Sequence, residues 1–185
     1  MIRMTHKTIS QTTWCPRVKV LYDSHVINKR VRELGRQIAS DYKDKNLHVV
    51  GVLRGSFMFY ADLVREIHLP ITCDFIGASS YCNEHVSSGK VEVTMAIKEN
   101  SIEGRDILLV EDIVDTGLTI HSLLESLAGH NPKSLKVCSL LSKPIKRKIQ
   151  VPVDYVGFEV DDQFVVGYGL DDGGVYRNLP YVGVL

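Results

Sequence analysis

The chain has 185 residues, 44% of them apolar and 24% charged, and its 22 basic and 22 acidic side chains cancel to a formal net charge of zero. That length suits one domain with a full core, and the charge balance excludes a general nucleic-acid binder, which needs a basic excess to release counterions. No apolar run approaches the about 20 residues of a membrane span.

The opening segment MIRMTHKTISQTTW lacks the continuous apolar core of a signal peptide. The four cysteines, Cys15, Cys73, Cys82 and Cys138, show no CxxC spacing. We therefore expect a cytoplasmic protein with free thiols, with Cys73 and Cys138 packed in the interior.

In chain order, SHVINKRVRELGRQIASDYK is the first strong element. Val31, Leu34 and Ile38 recur at helical spacing, and Ser24 is the expected N-cap. LHVVGVL (47–53) is continuously apolar, as a strand covered on both faces must be. Arg54-Gly55-Ser56 turns the chain into a second helix, 57–67, which ends before Pro70. ITCDFIGA (71–78) follows as a strand, then the polar interval SSYCNEHVSSGK, then VEVTMAI (91–97), whose alternation predicts a half-exposed strand. DILLVED and SLKVCSLL flank a helix from about 119 to 130, and DYVGFEV, QFVVGYGL and YVGVL close the chain as short strands.

Strand and helix in alternation imply parallel pairing with right-handed crossovers. The expected fold is α/β, a doubly wound and mostly parallel sheet flanked by helices. It forms one domain over 1–185, with a core at about 20–142 and a small hood of short strands at 143–185. Ligands of such sheets bind in the crevice at the carboxyl ends of the strands.

The stretch VEDIVDTGLT (110–119) stands at such an end. Asp115, Thr116, Gly117, Leu118 and Thr119 form the expected phosphate loop at the start of a helix, where backbone N–H groups, two hydroxyls and the helix dipole favour an anion such as phosphate. Only the amide of Leu118 is needed there. The GxxxxGK[ST] spacing of a nucleoside-triphosphate loop is absent, and no lysine lies in the turn. Glu111 and Asp112 need a different partner, because vicinal carboxylates accept hydrogen bonds from a diol or hold Mg²⁺ through water. A ribose 5-phosphate joins both requirements.

This motif resembles the signature with which phosphoribosyltransferases bind phosphoribosyl pyrophosphate. Four segments in the same order are similar to the hypoxanthine-guanine phosphoribosyltransferase family, from about Val50 to the C-terminus. The first, VGVLRGSFMFYADLV, resembles the pyrophosphate loop, which implies a Leu53-Arg54 peptide able to be cis and a pyrophosphate held by Arg54 and Gly55. The second resembles the mobile loop that closes through a Ser-Tyr pair, here Ser80 and Tyr81. The third is the motif itself.

The fourth runs from Lys143 through VGFEVDDQFVVGYGLD to VYRNLP. It implies Lys143 as donor to the purine 6-oxo group, Phe164 as the stacking aromatic, Val165 as a backbone contact to the base, Asp171 as metal ligand beside the purine and Arg177 as a pyrophosphate contact. Pattern alone puts Phe164 and Val165 in the core.

The resemblance implies an Mg²⁺-dependent transfer of 5-phosphoribosyl from phosphoribosyl pyrophosphate to N9 of hypoxanthine or guanine. Asp115 is implied as general base, with Glu111 and Asp112 facing the ribose and, through water, the metal. Partners are then phosphoribosyl pyrophosphate, a 6-oxopurine and other copies of the chain in a homodimer or homotetramer, with no nucleic acid and no membrane. A xanthine-preferring transferase and a non-catalytic ligand-sensing regulator on the same scaffold remain alternatives. One departure stands out: the family follows the metal aspartate with an aromatic, whereas Asp171 precedes Asp172-Gly173-Gly174. These residues are expected to loosen the loop, alter metal binding or shift base preference.

Overall fold

The computed structural model describes residues 17–80, 91–95 and 102–185. Its elements begin with β1 (Lys19–Tyr22), α1 (Ser24–Asp41), β2 (Leu47–Leu53), α2 (Phe57–Glu66), β3 (Thr72–Ser80) and β4 (Val91–Met95). They continue with β5 (Asp106–Val114), α3 (Leu118–Ala128), β6 (Ser134–Ser142), a 3-10 turn at Pro144–Lys146, β7 (Tyr155–Glu159), β8 (Val165–Val166) and β9 (Val182–Val184). The main sheet has the order β4-β3-β2-β5-β6-β7. Its last five strands in that order are mutually parallel, and β4 joins antiparallel to β3 at the edge.

The alternation of β2 explains the layering. Val49 faces a core that includes Ile27, Leu34 and Ile38 of α1 and Phe59 and Leu63 of α2. Val50 and Val52 face the opposite core, with Ile120, Leu123 and Leu127 of α3. A strand buried on both faces has no polar face to show, which is why LHVVGVL is continuously apolar. Arg30 of α1 adds a polar tie, donating to the carbonyls of Gly157 and Val156 at 2.9 and 2.7 Å.

A second sheet, β1-β9-β8, is antiparallel and packs on Val18, Val166, Leu179 and Tyr181. It corrects the expected division at residue 142 in two places. β1, at the start of the chain, belongs to the hood, because it pairs with β9. β7 belongs to the core, because it pairs with β6. The two sheets meet where the Tyr22 ring stacks on Phe158, centroids 4.1 Å apart.

Smaller corrections have local causes. Asp23, not Ser24, caps α1: its extended backbone lets Oδ1 accept from Val26 N at 2.8 Å, which makes Ser24 the first helical residue. Cys73 is exposed, on β3 near the edge of the sheet, whereas Cys138 is buried. Among the described residues, no helix is long and apolar enough to cross a membrane.

Candidate active site

The carboxyl end of β5 leads through residues 115–117 into α3, as the sequence predicts. Gly117 sits at the N-cap position with φ of 86° and contributes no side-chain capping bond. Only glycine reaches that conformation without strain, and a Cβ here would also collide with the Ile149 carbonyl. The first intrahelical bond is His121 N to Gly117 O at 2.9 Å, so the amides of Thr119 and Ile120 lack partners inside the helix. They open on a cavity of ≈70 Å³ lined by Ile113, Val114, Asp115, Thr116, Gly117, Thr119 and Ile120. The Leu118 amide lies 3.4 Å from Thr116 Oγ1. From behind, Lys148 N and Ile149 N donate to Thr116 O at 2.9 and 3.1 Å and fix the turn.

Just before the turn stand two buried acids, Glu111 and Asp112, 8% and 9% exposed. Glu111 Oε1 accepts from Asp112 N at 3.3 Å, and Asp112 Oδ1 accepts from Ile113 N at 2.7 Å. Glu111 Oε2 and Asp115 Oδ1 are buried with no hydrogen-bond partner among the described residues. Burial, reinforced by the neighbouring Asp112 charge, pushes the Glu111 carboxyl well above the usual carboxylate range. A pair of acids in this state is electrostatically incomplete and favours a ligand that brings hydroxyl donors or positive charge.

Beside the cup is a cleft of ≈260 Å³ lined by Asp112, Ile113, Asp115, Lys143, Phe164, Val165, Leu170 and Asp171. Lys143 follows β6; its amide donates to Val114 O at 3.0 Å, and its Nζ donates to Gln163 O at 2.8 Å. Two of the three ammonium donors remain for a ligand. Phe164 is 55% exposed, so the ring is not a core residue as its pattern suggests. Val165 is buried but keeps its backbone available. Leu185 N bonds Phe164 O at 3.2 Å and Val165 pairs with Val184. Alternation of the antiparallel ladder then turns the Val165 N–H and C=O away from β9, toward the open edge of β8.

The third part of the site joins the loop after β2 to the hood. The Leu53-Arg54 peptide is cis, and Arg54 is exposed. Ser56 Oγ donates to Val52 O at 2.6 Å and closes the turn. Gly55 packs so tightly on the Asp112 carboxylate that a Cβ would overlap it. On the hood side, Arg177 Nη2 meets Asp171 Oδ1 at 2.5 Å, and its Nη1 donates to Gly169 O at 2.6 Å.

The expected loosening after Asp171 does not occur. Asp172 and Val175 exchange backbone hydrogen bonds of 3.2 and 3.1 Å across a two-residue turn, and Gly174 N donates to Asp171 Oδ2 at 2.7 Å. Gly173 and Gly174 both adopt positive φ, the backbone such a tight hairpin requires. The departure from the family pattern thus orients Asp171.

The structure therefore brings together Asp112, Asp115, Lys143, Phe164, Val165 and Asp171 around one cleft, with Thr116, Gly117 and Thr119 around the adjoining cup. Ser80 ends β3, and Tyr81 lies outside the described residues. Leu170 in the cleft wall and Arg147 behind the phosphate loop escaped sequence reasoning. Arg147 Nη2 donates to Ser142 Oγ at 2.9 Å, and its side chain lies against Gly117. The exposed-looking run IKRK after Pro144 gives no hint that Arg147 turns inward.

Fold and site together define a phosphoribosyl transferase domain, whose family profile matches residues 17–173. The chain is 50% identical over 171 residues to a hypoxanthine-guanine phosphoribosyltransferase of Dictyostelium discoideum, covering 90% of this chain and 94% of that protein. A Bacillus subtilis protein of the same name is 48% identical over 167 residues, covering 90% and 92%. A solved hypoxanthine phosphoribosyltransferase structure from Staphylococcus aureus superposes with a TM-score of 0.86 at 42% identity, covering 90% of both chains. The chain belongs to the hypoxanthine-guanine phosphoribosyltransferase family.

Proposed function

We propose that the protein transfers the 5-phosphoribosyl group of phosphoribosyl pyrophosphate to N9 of hypoxanthine or guanine, releasing pyrophosphate and giving IMP or GMP. The observation that carries this reading is the pair of adjoining cavities that share Ile113 and Asp115. One is a small cup of backbone amides at a helix N-terminus, suited to a phosphate. The other is a cleft with an aromatic face, a lysine and an open strand edge, suited to one planar base.

Each half of the transfer finds its groups. The amides and hydroxyls of Thr116 to Thr119 hold the 5-phosphate, and Glu111 and Asp112 accept from the ribose hydroxyls. The C1–O bond breaks through an oxocarbenium-like state, for which these acids supply a negative neighbourhood while Arg54, Gly55 and Arg177 hold the departing pyrophosphate. Phe164 stacks on the base and Lys143 donates to its 6-oxo group. Because an ammonium cannot accept a hydrogen bond, the 6-amino group of adenine is disfavoured. Asp115, whose Oδ1 is buried and unpartnered among the described residues, takes the N7 proton as N9 attacks.

Magnesium fits the same residues. Glu111 is a buried acid with one unpartnered oxygen among the described residues, and Asp112 and Asp171 line one cleft. Such an ion takes one or two carboxylates and completes its shell with substrate oxygens and water. When bound, it would neutralise charge on the leaving pyrophosphate. By the same reading the enzyme works in the cytoplasm as a homodimer or homotetramer.

The test is direct. The protein is incubated with Mg²⁺, phosphoribosyl pyrophosphate and hypoxanthine, guanine, xanthine or adenine in turn, and nucleotide formation is followed. IMP and GMP are expected, with little AMP. Absence of product with every base overturns the proposal in favour of a ligand-sensing regulator.

A further inference from the structure

One buried side chain near the site is used by none of the steps above. Tyr168 is 6% exposed and sits with φ of 50° in the left-handed region. It is the first residue of a two-residue turn with Gly169, closed by Gly167 N to Leu170 O at 3.0 Å and Leu170 N to Gly167 O at 3.1 Å. Such turns favour Asn, Asp or Gly at that position, so an aromatic there needs a compensating contact. Its hydroxyl makes one: it donates to Asp62 Oδ2 on α2 at 2.5 Å. The other oxygen of Asp62 pairs with Arg65.

The position of this bond matters more than its presence. α2 begins directly after the pyrophosphate loop, and Asp62 lies in its second turn. On the other side, Gly169 follows Tyr168 and touches the Gly55 carbonyl so closely that a Cβ would overlap it. Gly169 N donates to Arg177 O at 2.9 Å, and Gly169 O accepts from Arg177 Nη1 at 2.6 Å. Arg177 in turn holds Asp171 at 2.5 Å. A continuous path of contacts thus runs from α2 through Asp62 and Tyr168 to Gly169, Arg177 and Asp171, and from Gly169 back to Gly55.

We propose that Tyr168 is a positioning residue for the pyrophosphate half of the site, its hydroxyl anchoring the hood turn to α2 so that Arg177, Asp171 and Gly55 face one another at a fixed spacing. The inference rests on the function proposed above. It assigns the side chain no contact with the purine: Tyr168 is not among the residues that line the base cleft. The expected signature is therefore one-sided. Loss of the hydroxyl weakens the hold on pyrophosphate and leaves the hold on the base.

The experiment compares wild type with Tyr168→Phe, Asp62→Asn and Asp62→Ala, in steady-state assays of both reaction directions and in calorimetric titrations with pyrophosphate in magnesium buffer. Tyr168→Phe should raise the KM for phosphoribosyl pyrophosphate, and the Kd for pyrophosphate, about 10-fold, the scale of one hydrogen bond to a charged acceptor. The purine KM should stay within about twofold of wild type. Asp62→Asn, which keeps an acceptor, should recover most of the affinity, and Tyr168→Phe should add little in the Asp62→Ala background. Unchanged pyrophosphate affinity, or a parallel rise in both KM values with a lower Tm, overturns the proposal. Failure of wild type to make nucleotide overturns the proposed function instead, and the titrations still decide the role of Tyr168.

Discussion

The two ends of strand β5 carry acids in opposite circumstances. At its start, Asp106 is buried with side-chain partners: Ser134 Oγ donates to Oδ1 at 2.6 Å, and Lys133 Nζ stands 4.0 Å from Oδ2, which accepts no hydrogen bond among the described residues. Toward its far end, Glu111 and Asp112 are similarly buried, and among the described residues their carboxylates accept from the backbone amides of Asp112 and Ile113. The first acid closes the base of the sheet. In the proposed reaction the others become favourable when a substrate supplies hydroxyls or a cation. On that reading the difference separates groups kept for stability from groups kept for chemistry, on one strand and at similar burial.

If that division holds, substitutions at the carboxyl ends should cost activity without stability. The largest loss belongs to Asp115→Asn, for which kcat should fall about 100-fold or more, the scale of a missing general base, while Tm stays put. Near-full turnover with normal substrate binding removes Asp115 from that role. Lys143→Gln comes next: kcat/KM for hypoxanthine should fall about 10- to 100-fold, and adenine should become relatively less disfavoured. Competition assays with the two bases read this directly.

The acids themselves should then move stability in opposite directions. Asp106→Ala should destabilise by about 1–3 kcal/mol, because it strands the Ser134 hydroxyl. Glu111→Gln should instead stabilise the ligand-free protein at pH 8, where the buried carboxyl is otherwise pressed to ionise. Its carboxyl is raised in the folded state, so its contribution is intact below about pH 4.5, the unfolded value, and is lost as pH rises through the folded value. The wild type should therefore lose stability along that rise more steeply than Glu111→Gln. Denaturant titrations at a series of pH values compare the slopes, and parallel slopes break the contrast.

The smallest effect concerns the opposite end of β2, where His48 Nδ1 lies 2.7 Å from Thr72 Oγ1. Burial, with help from Arg105, lowers the His48 pKa below its ordinary value of 6.5. Its stabilising contribution is present above that value and is lost as pH falls below it. Stability should fall slightly as pH drops below 6.5, and His48→Gln should flatten that limb.

Legibility in the sequence followed the range of the interaction involved. VEDIVDTGLT disclosed its strand, turn and helix because every element of it is local: the apolar run, the glycine and the helix start are neighbours in the chain. Phe164 defeated periodicity, which puts it in the core with Val165, because its exposure depends on the hood edge that β8 forms with β9 at the chain's end. β1 was assigned to the core for the same reason, since its partner β9 lies some 160 residues away. The tie of Tyr168 to Asp62 spans 106 residues, and no spacing rule reaches that far. Asp172-Gly173-Gly174 carried a visible hairpin signal, but its effect on Asp171 depended on which oxygen the turn amide would meet.

The cup proposed for phosphate has a consequence for how this protein tolerates change over generations. Because its donors are main-chain amides, Leu118 is free to vary as long as the helix begins where it does. Constraint falls on Gly117, whose missing side chain leaves room for the Ile149 carbonyl, and on the spacing of the 147–149 segment behind it. An inserted residue there, remote from every substrate atom, should be harder to accommodate than many exchanges at positions that touch the ligand.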